Sequence, residues 1–298
     1  MIRKKKYILG IDLGGTKIGA AVVTARGRVE GRVISIPTGA RRRAGMIADS
    51  IRAAAVLAMD SAGISRGEIR GAGVGSPGPL DPEKGRILTP PNLPALRNYD
   101  LGGVLEKKLG LPVRIGNDGN MFTLGEAVFG AGRGHGIVLG VTLGTGIGSG
   151  LVIDRRVYNG ATGTAGEIWC FPVRDSIADR YLSGYWVSRE YARRTGRRAD
   201  TRDVAARARK GDRKALSLWN SYGENLGEVL AFAVNLVDPG IIVLGGSVSG
   251  AYRLFSGRMN KVLRKRISPV PRRHLRVTRG SLGGSAGIIG AAALFLDI

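Results

Sequence analysis

The chain has 298 residues, carries 46 lysines and arginines against 23 acidic residues (a net charge of +23) and contains one cysteine. That length suits one large or two medium domains, and a lone thiol excludes an internal disulfide or a cysteine-cluster metal site. No apolar run reaches the roughly 18 residues that a membrane span needs, and Asp12 interrupts the basic-then-apolar N-terminus too early for a secretory leader, so a cytoplasmic protein is expected.

The first segment reads as a three-strand meander, Tyr7–Asp12, Gly19–Thr24 and Arg28–Pro37, followed by a helix over Gly45–Ala62 with apolar residues at helical spacing. A buried strand, Ile69–Gly75, runs into SPGPLDPEKG, whose prolines and glycines force a loop. A second loop, Thr89–Asn98, precedes a helix over Leu101–Leu109 and a strand over Val113–Asn117 that delivers Asp118. The pattern then restarts: helix Met121–Phe129, strand Gly136–Thr142, a glycine turn, strand Gly150–Ile153 and a return at Arg156–Tyr158. Helices over Asp179–Thr195, Thr201–Lys210 and Arg213–Val237 come next. After them stand strand Ile241–Leu244, helix Ala251–Arg266, strand Val277–Arg279 and a closing helix Gly284–Leu296. The restart implies two related halves, each a mixed α/β sheet with helices, joined by a hinge with a cleft. Residues 1–118 with 284–298 are expected to form a smaller first domain, and 119–283 a larger second one.

Composition refines this. Aromatics are 6% of the chain and glycines number 48, so the core must be mostly Val, Ile, Leu and Ala among many tight turns. The positive excess favours anionic ligands. The basic clusters Arg41–Arg43, Arg193–Arg198 and Arg264–Arg273 have little aromatic interleaving, however, so a solvated Arg-rich surface is expected rather than a nucleic-acid face.

Three glycine turns carry the chemistry. In the first, Asp12 ends a strand and Gly14, Gly15, Thr16 and Lys17 follow. Glycines there let backbone N–H groups approach a phosphate, Asp12 can hold a metal-bound water, and Lys17 supplies positive charge. The bland alternative is a hairpin turn. The second turn, Thr142–Gly150, includes Gly144, Thr145 and Gly146; facing the first, it would grip a polyphosphate from the other side. The third, Gly245, Gly246 and Ser247, either covers a nucleotide base or ribose or is a simple strand-to-helix turn.

With Ser76-Pro77-Gly78-Pro79, Pro91-Asn92-Leu93, Asn117-Asp118, Leu124-Gly125-Glu126 and Ala165-Gly166-Glu167-Ile168 occurring in order, the chain resembles the ROK family of sugar kinases and related repressors, within the actin-like ATPase superfamily. The resemblance covers nearly the whole chain. It implies two actin-like domains closing over ATP, Mg²⁺ and a hexose, with phosphoryl transfer to a sugar hydroxyl, most directly glucose to glucose 6-phosphate. It makes Asp118 the general base, although an Asp in that place also suits an N-cap. It assigns sugar contacts to Gly78, Asn92, Asn117, Asp118 and Glu167; Asn92 reads equally as a turn residue, and Glu167 as a first-turn helix acid. A homodimer is also implied.

The chain departs from the family in two places. Cys170 stands where most members carry a sugar-contacting, zinc-binding His, and no cysteines follow, so no structural zinc is expected. Asp179 stands where many members place a sugar-contacting Glu, one methylene longer. His135 and His274 read as loop residues. Rival readings are a fructokinase or N-acetyl-amino-sugar kinase and, in another class, a catalytically silent sugar-binding regulator or scaffold. Polyphosphate remains a rival donor to ATP. A DNA-binding helix-turn-helix is not expected, since only Met1–Lys6 precede the first strand.

Overall fold

The computed structural model describes residues 5–296. The ends of the expected first domain, residues 1–4 and 297–298, lie outside the described residues. Strands β1 (Tyr7–Leu13), β2 (Lys17–Thr24) and β3 (Val29–Pro37) form the expected antiparallel meander, with Asp12 opposite Gly19. Helix α1 (Ala44–Ala62) packs its Ile47, Ile51, Ala54, Ala55 and Ala58 face on that sheet and ends at Gly63, whose φ of 65° is the left-handed cap. β4 (Ile69–Ser76) then pairs parallel with β1.

The Pro/Gly-rich loop carries more order than expected. Two-residue strands β5 (Leu80–Asp81), β6 (Arg86–Ile87) and β7 (Tyr99–Asp100) form a small antiparallel sheet there. Helix α2 (Leu101–Leu109) and strand β8 (Val113–Asn117) follow, and β8 pairs parallel with β4. Helix α3 (Asp118–Phe129) starts three residues earlier than its apolar pattern suggests, because Asn117 caps it: the side-chain Oδ1 accepts the N–H groups of Gly119 and Asn120.

The second sheet begins with β9 (Ile137–Leu143), β10 (Ile147–Ile153) and β11 (Arg156–Val157); the two-residue strands that follow, β12 (Pro172–Val173) and β13 (Ser176–Ile177), pair with each other instead. The single helix expected over Asp179–Thr195 is two, α4 (Ala178–Leu182) and α5 (Gly184–Thr195). Ser183 between them is extended and its Oγ accepts the Trp186 N–H, so it ends one helix by capping the next. Helices α6 (Thr201–Arg209) and α7 (Arg213–Val237), strand β14 (Ile241–Gly245) and helix α8 (Tyr252–Arg266) follow. A short helix that the sequence pattern misses, α9 (Pro269–His274), precedes β15 (Arg276–Arg279) and the closing α10 (Ala286–Ala293).

The two large sheets have the orders β3-β2-β1-β4-β8 and β11-β10-β9-β14-β15. Each runs third, second, first, fourth, fifth along its half, so the restart in the sequence is a repeated topology. A place between two parallel neighbours explains the near-continuous burial of β4, between β1 and β8, and of β14, between β9 and β15. By contact density the chain divides into a unit of Met1–Gly134, Gly150–Ala165 and Gly280–Ile298, and a unit of His135–Ser149 and Gly166–Arg279. The expected junction at Asn117–Asn120 therefore falls inside the first unit, which includes α3.

The first unit is built on small residues. α10 lies against β1, β4 and α3 through glycines at Gly10, Gly73, Gly125 and Gly290, where added methyl groups would overlap backbone carbonyls. The second unit concentrates the scarce aromatics. Trp219, Tyr222 and Phe255 are fully buried between α7 and α8, with ring centroids 5.2–6.0 Å apart. Among the described residues, no helix is long and apolar enough to cross a membrane.

Candidate active site

In the first unit, the predicted residues gather at the C-terminal ends of the parallel strands β1, β4 and β8, the edge where open α/β sheets bind ligands. Asp12 pairs in register with Gly75 of β4, and Ser76 with Asn117 of β8. The turn after β1 is closed by the Gly14 N–H donating to the Lys17 carbonyl at 3.0 Å. Thr38, buried and absent from the sequence reading, holds this turn twice: its Oγ1 donates to the Gly14 carbonyl at 2.7 Å and its N–H to the Thr16 carbonyl at 3.0 Å. Thr16 and Lys17 are exposed. Asn92 is brought to the same turn, since a Cβ at Gly15 would lie 3.2 Å from that of Asn92. Gly78 is brought to Asn117: a Cβ there would lie 2.8 Å from Asn117 Nδ2.

Asp118 is the first residue of α3 rather than its cap. With Asn117 in that role, the Asp118 carboxylate is free to accept the Gly119 N–H at 2.8 Å. The side chain is reachable by solvent yet crowded by protein, and that loss of hydration pushes its carboxyl above the usual range against the Gly119 hydrogen bond. Asp12, half-buried, is raised to about 6, first by desolvation and then by the Asp118 charge, with Lys17 opposing. Two coupled carboxylates at one strand edge are hard oxygen donors of the kind Mg²⁺ takes, and Mg²⁺ needs only one or two of them beside phosphate and water. The residues fit that ion.

Asp12 also makes stability depend on pH. Its carboxyl titrates at about 6 in the folded chain against 3.8 for an unperturbed group, so the folded state holds the proton more tightly. Stability is therefore highest below the unfolded value and falls as the pH rises through the folded one. Asp12→Asn should flatten that fall, read as urea midpoints at about pH 4.5 and about pH 7. An unchanged difference between the two midpoints would contradict the assignment.

In the second unit, Thr142 pairs with Gly245, which sets the second and third glycine turns side by side at the ends of β9 and β14. The Gly144 N–H closes its turn on the Gly146 carbonyl at 2.9 Å. Gly246, at φ 78°, has its Cβ position filled by the Leu143 backbone, so no other residue fits this turn. Beside them is a cavity of about 620 Å³, lined in part by Gly144, Thr145, Tyr185, Thr201, Arg209 and Ser247. Of the predicted phosphate and nucleotide residues, Gly144, Thr145 and Ser247 line it; Thr142, Gly146, Gly245 and Gly246 shape the turns behind. Tyr185, Thr201 and Arg209 were not singled out from the sequence, because α5 and α6 read as ordinary Arg-rich surface helices.

The remaining predicted residues lie elsewhere in this unit. Glu167 is half-buried ahead of a one-turn helix, Ile168–Cys170, that Ser149 anchors through the Ile168 N–H at 3.1 Å. Cys170 is exposed, its thiol donating to the Glu167 carbonyl at 3.1 Å. Asp179 is committed to the backbone: its Oδ1 accepts the Ile147 N–H at 2.9 Å. In the segment where the family resemblance implies zinc, Arg174 donates to Asn225 Oδ1 at 3.0 Å and lies over the Tyr181 ring, and Asp175 accepts the Tyr181 hydroxyl. A guanidinium and an occupied carboxylate do not fit a zinc ion. Among the described residues, no three His, Cys, Asp or Glu side chains gather as metal ligands.

Two mixed sheets of the same strand order, each flanked by helices, are the actin-like ATPase fold. A solved ROK family glucokinase from Streptomyces griseus, in complex with glucose and AMPPNP, superposes with a TM-score of 0.82 at 30% identity, covering 97% of this chain and 98% of that one. A ROK hexokinase from Thermus thermophilus gives 0.80 at 30% identity, with 96% of each chain covered. By sequence, a glucokinase of Thermotoga maritima is 30% identical over 321 residues, spanning 98% of both chains. The N-acetylgalactosamine kinase AgaK of Shewanella sp. is also 30% identical, over 96% of this chain and 95% of that one. The ROK family model matches residues 8–298, and the chain belongs to the ROK family.

Proposed function

We propose that the chain is an ATP-dependent sugar kinase, transferring the γ-phosphoryl group of ATP to a hexose hydroxyl, with glucose to glucose 6-phosphate as its main reaction. The observation that carries this is Asp118: a crowded, solvent-reachable carboxylate with raised proton affinity, relieved of helix capping by Asn117. Such a group can take the hydroxyl proton while the sugar oxygen forms its bond to phosphorus and the bond to the ADP oxygen breaks. Gly78, Asn92, Asn117, Glu167 and Cys170 are the proposed sugar contacts.

The nucleotide phosphates are assigned to the Gly14–Lys17 and Thr142–Gly146 turns, and the base and ribose to the cavity beside Ser247. Asp12 would hold Mg²⁺, and the ion, when bound, would supply charge neutralisation at the phosphates. Lys17 adds a second positive charge at the same turn. A cytoplasmic homodimer belongs to the same reading.

The glucokinases among the relatives support glucose. AgaK, at the same identity as the Thermotoga enzyme, favours an N-acetyl-amino sugar as the second reading. A coupled ADP-release assay over glucose, mannose, fructose, N-acetylglucosamine and N-acetylgalactosamine decides between them. Glucose should give the highest kcat/KM with ATP; a higher value for an N-acetyl sugar would transfer the assignment, and turnover of none would remove it. Polyphosphate in place of ATP should give little turnover.

A further inference from the structure

The short helix α4 holds the second glycine turn by both of its ends. On one side, Asp179 Oδ1 accepts the Ile147 N–H at 2.9 Å, and a Cβ at Gly146 would lie 2.8 Å from that same oxygen, so a side chain there would push the carboxylate aside. On the other, the Gly184 N–H just past α4 donates to the Gly144 carbonyl at 2.7 Å. The bracket is itself tied down. The buried Tyr222 hydroxyl of α7 donates to the Leu182 carbonyl at 2.9 Å, and Thr201 Oγ1 to the Gly184 carbonyl at 2.9 Å. Ahead of α4, the β12–β13 hairpin is anchored to α7 by Arg174 on Asn225, and to α4 by the Tyr181 contacts with Arg174 and Asp175.

We propose that Asp179 is a positioning residue for the phosphoryl donor: with Gly184 it fixes the Gly144–Ile147 turn, and the Arg174–Tyr181–Asp175 contacts hold that bracket without a metal ion. The reasoning is geometric. A turn that presents N–H groups to a phosphate gains from being set in advance, because ordering it on binding costs affinity. One of the two Asp179 carboxylate oxygens is spent on the turn's own backbone. Its shorter side chain, relative to Glu, suits that reach.

This inference rests on the kinase reading, and equilibrium binding separates the two. The full chain is titrated with AMPPNP in the presence of Mg²⁺ and, separately, with glucose. If the unmodified chain binds neither, the kinase reading fails. If it binds both, Asp179→Ala should weaken AMPPNP about tenfold, the worth of roughly one charge-assisted hydrogen bond, and leave glucose within about twofold. Asp179→Asn keeps an acceptor oxygen and should restore AMPPNP affinity to within about threefold of the unmodified chain. Gly146→Ala, which pushes a methyl group onto the same oxygen, should repeat the selective loss and serves if Asp179→Ala does not fold. A loss of glucose affinity as large as the AMPPNP loss, or unchanged AMPPNP binding in both Asp179→Ala and Gly146→Ala, overturns the proposal.

Discussion

Asp118→Asn should lower kcat by about 10²- to 10⁴-fold, the usual worth of a positioned general base, and leave the fold intact. Asn has the same shape and can still accept the Gly119 N–H, but it cannot take a proton from a sugar hydroxyl. The helix loses no cap, because Asn117 provides it. Stability should hold or rise: the folded state penalises the Asp118 charge, and an amide removes that penalty. A variant that turns over normally would exclude Asp118 as the base. One that loses activity only by unfolding, seen as a lowered urea midpoint, would make its role structural.

Gly290→Ala should destabilise the chain by about 3 kcal/mol, at the upper end of the cost of overpacking a core. An alanine methyl at this position would overlap the Met121 carbonyl of α3. α10 has nowhere to retreat, since Ile288 and Ala291 already press their carbonyls against Gly10 of β1 and Gly73 of β4. The Ala286 carbonyl likewise meets Gly125 of α3, and Gly287 lies beside the Asp12 carboxylate. The shift forced by one methyl group therefore reaches the strand edge that carries Asp12. Gly284→Ala, with nothing within 4 Å of its Cβ position, is the control and should change little. Equal urea midpoints for the two variants would refute the close-packing account.

What the sequence shows is what local chemistry dictates. The apolar runs of β1, β4, β9 and β14, the glycine turns after β1 and β9, and Asp118 at the end of β8 are all legible, because each depends on neighbours within a few residues. The break at Ser183 was hidden by continuous helical periodicity on both sides; the Ser-Gly pair was the signal. The hydrogen bonds that set the site are long-range. Thr38 reaches Gly14 across 24 residues, and Asp179 reaches Ile147 across 32.

Glu126 is the extreme case: its buried carboxylate accepts the Ala131, Ser281 and Leu282 N–H groups, the last two from more than 150 residues away. That carboxylate ties the entry of α10 to the end of α3. No pattern along the chain announces such a partner, although a glutamate among the apolar residues that end α3 is itself a hint that its charge is satisfied elsewhere.

The most direct measurement incubates the purified chain with glucose, ATP and Mg²⁺ and resolves the phosphorus species by NMR. A kinase acting through a proton-accepting carboxylate yields a hexose monophosphate and ADP in equal amounts, with no orthophosphate. ADP accompanied by orthophosphate, at a rate indifferent to the sugar, would mean that water rather than a hexose receives the phosphoryl group, and the proposed reaction would be wrong.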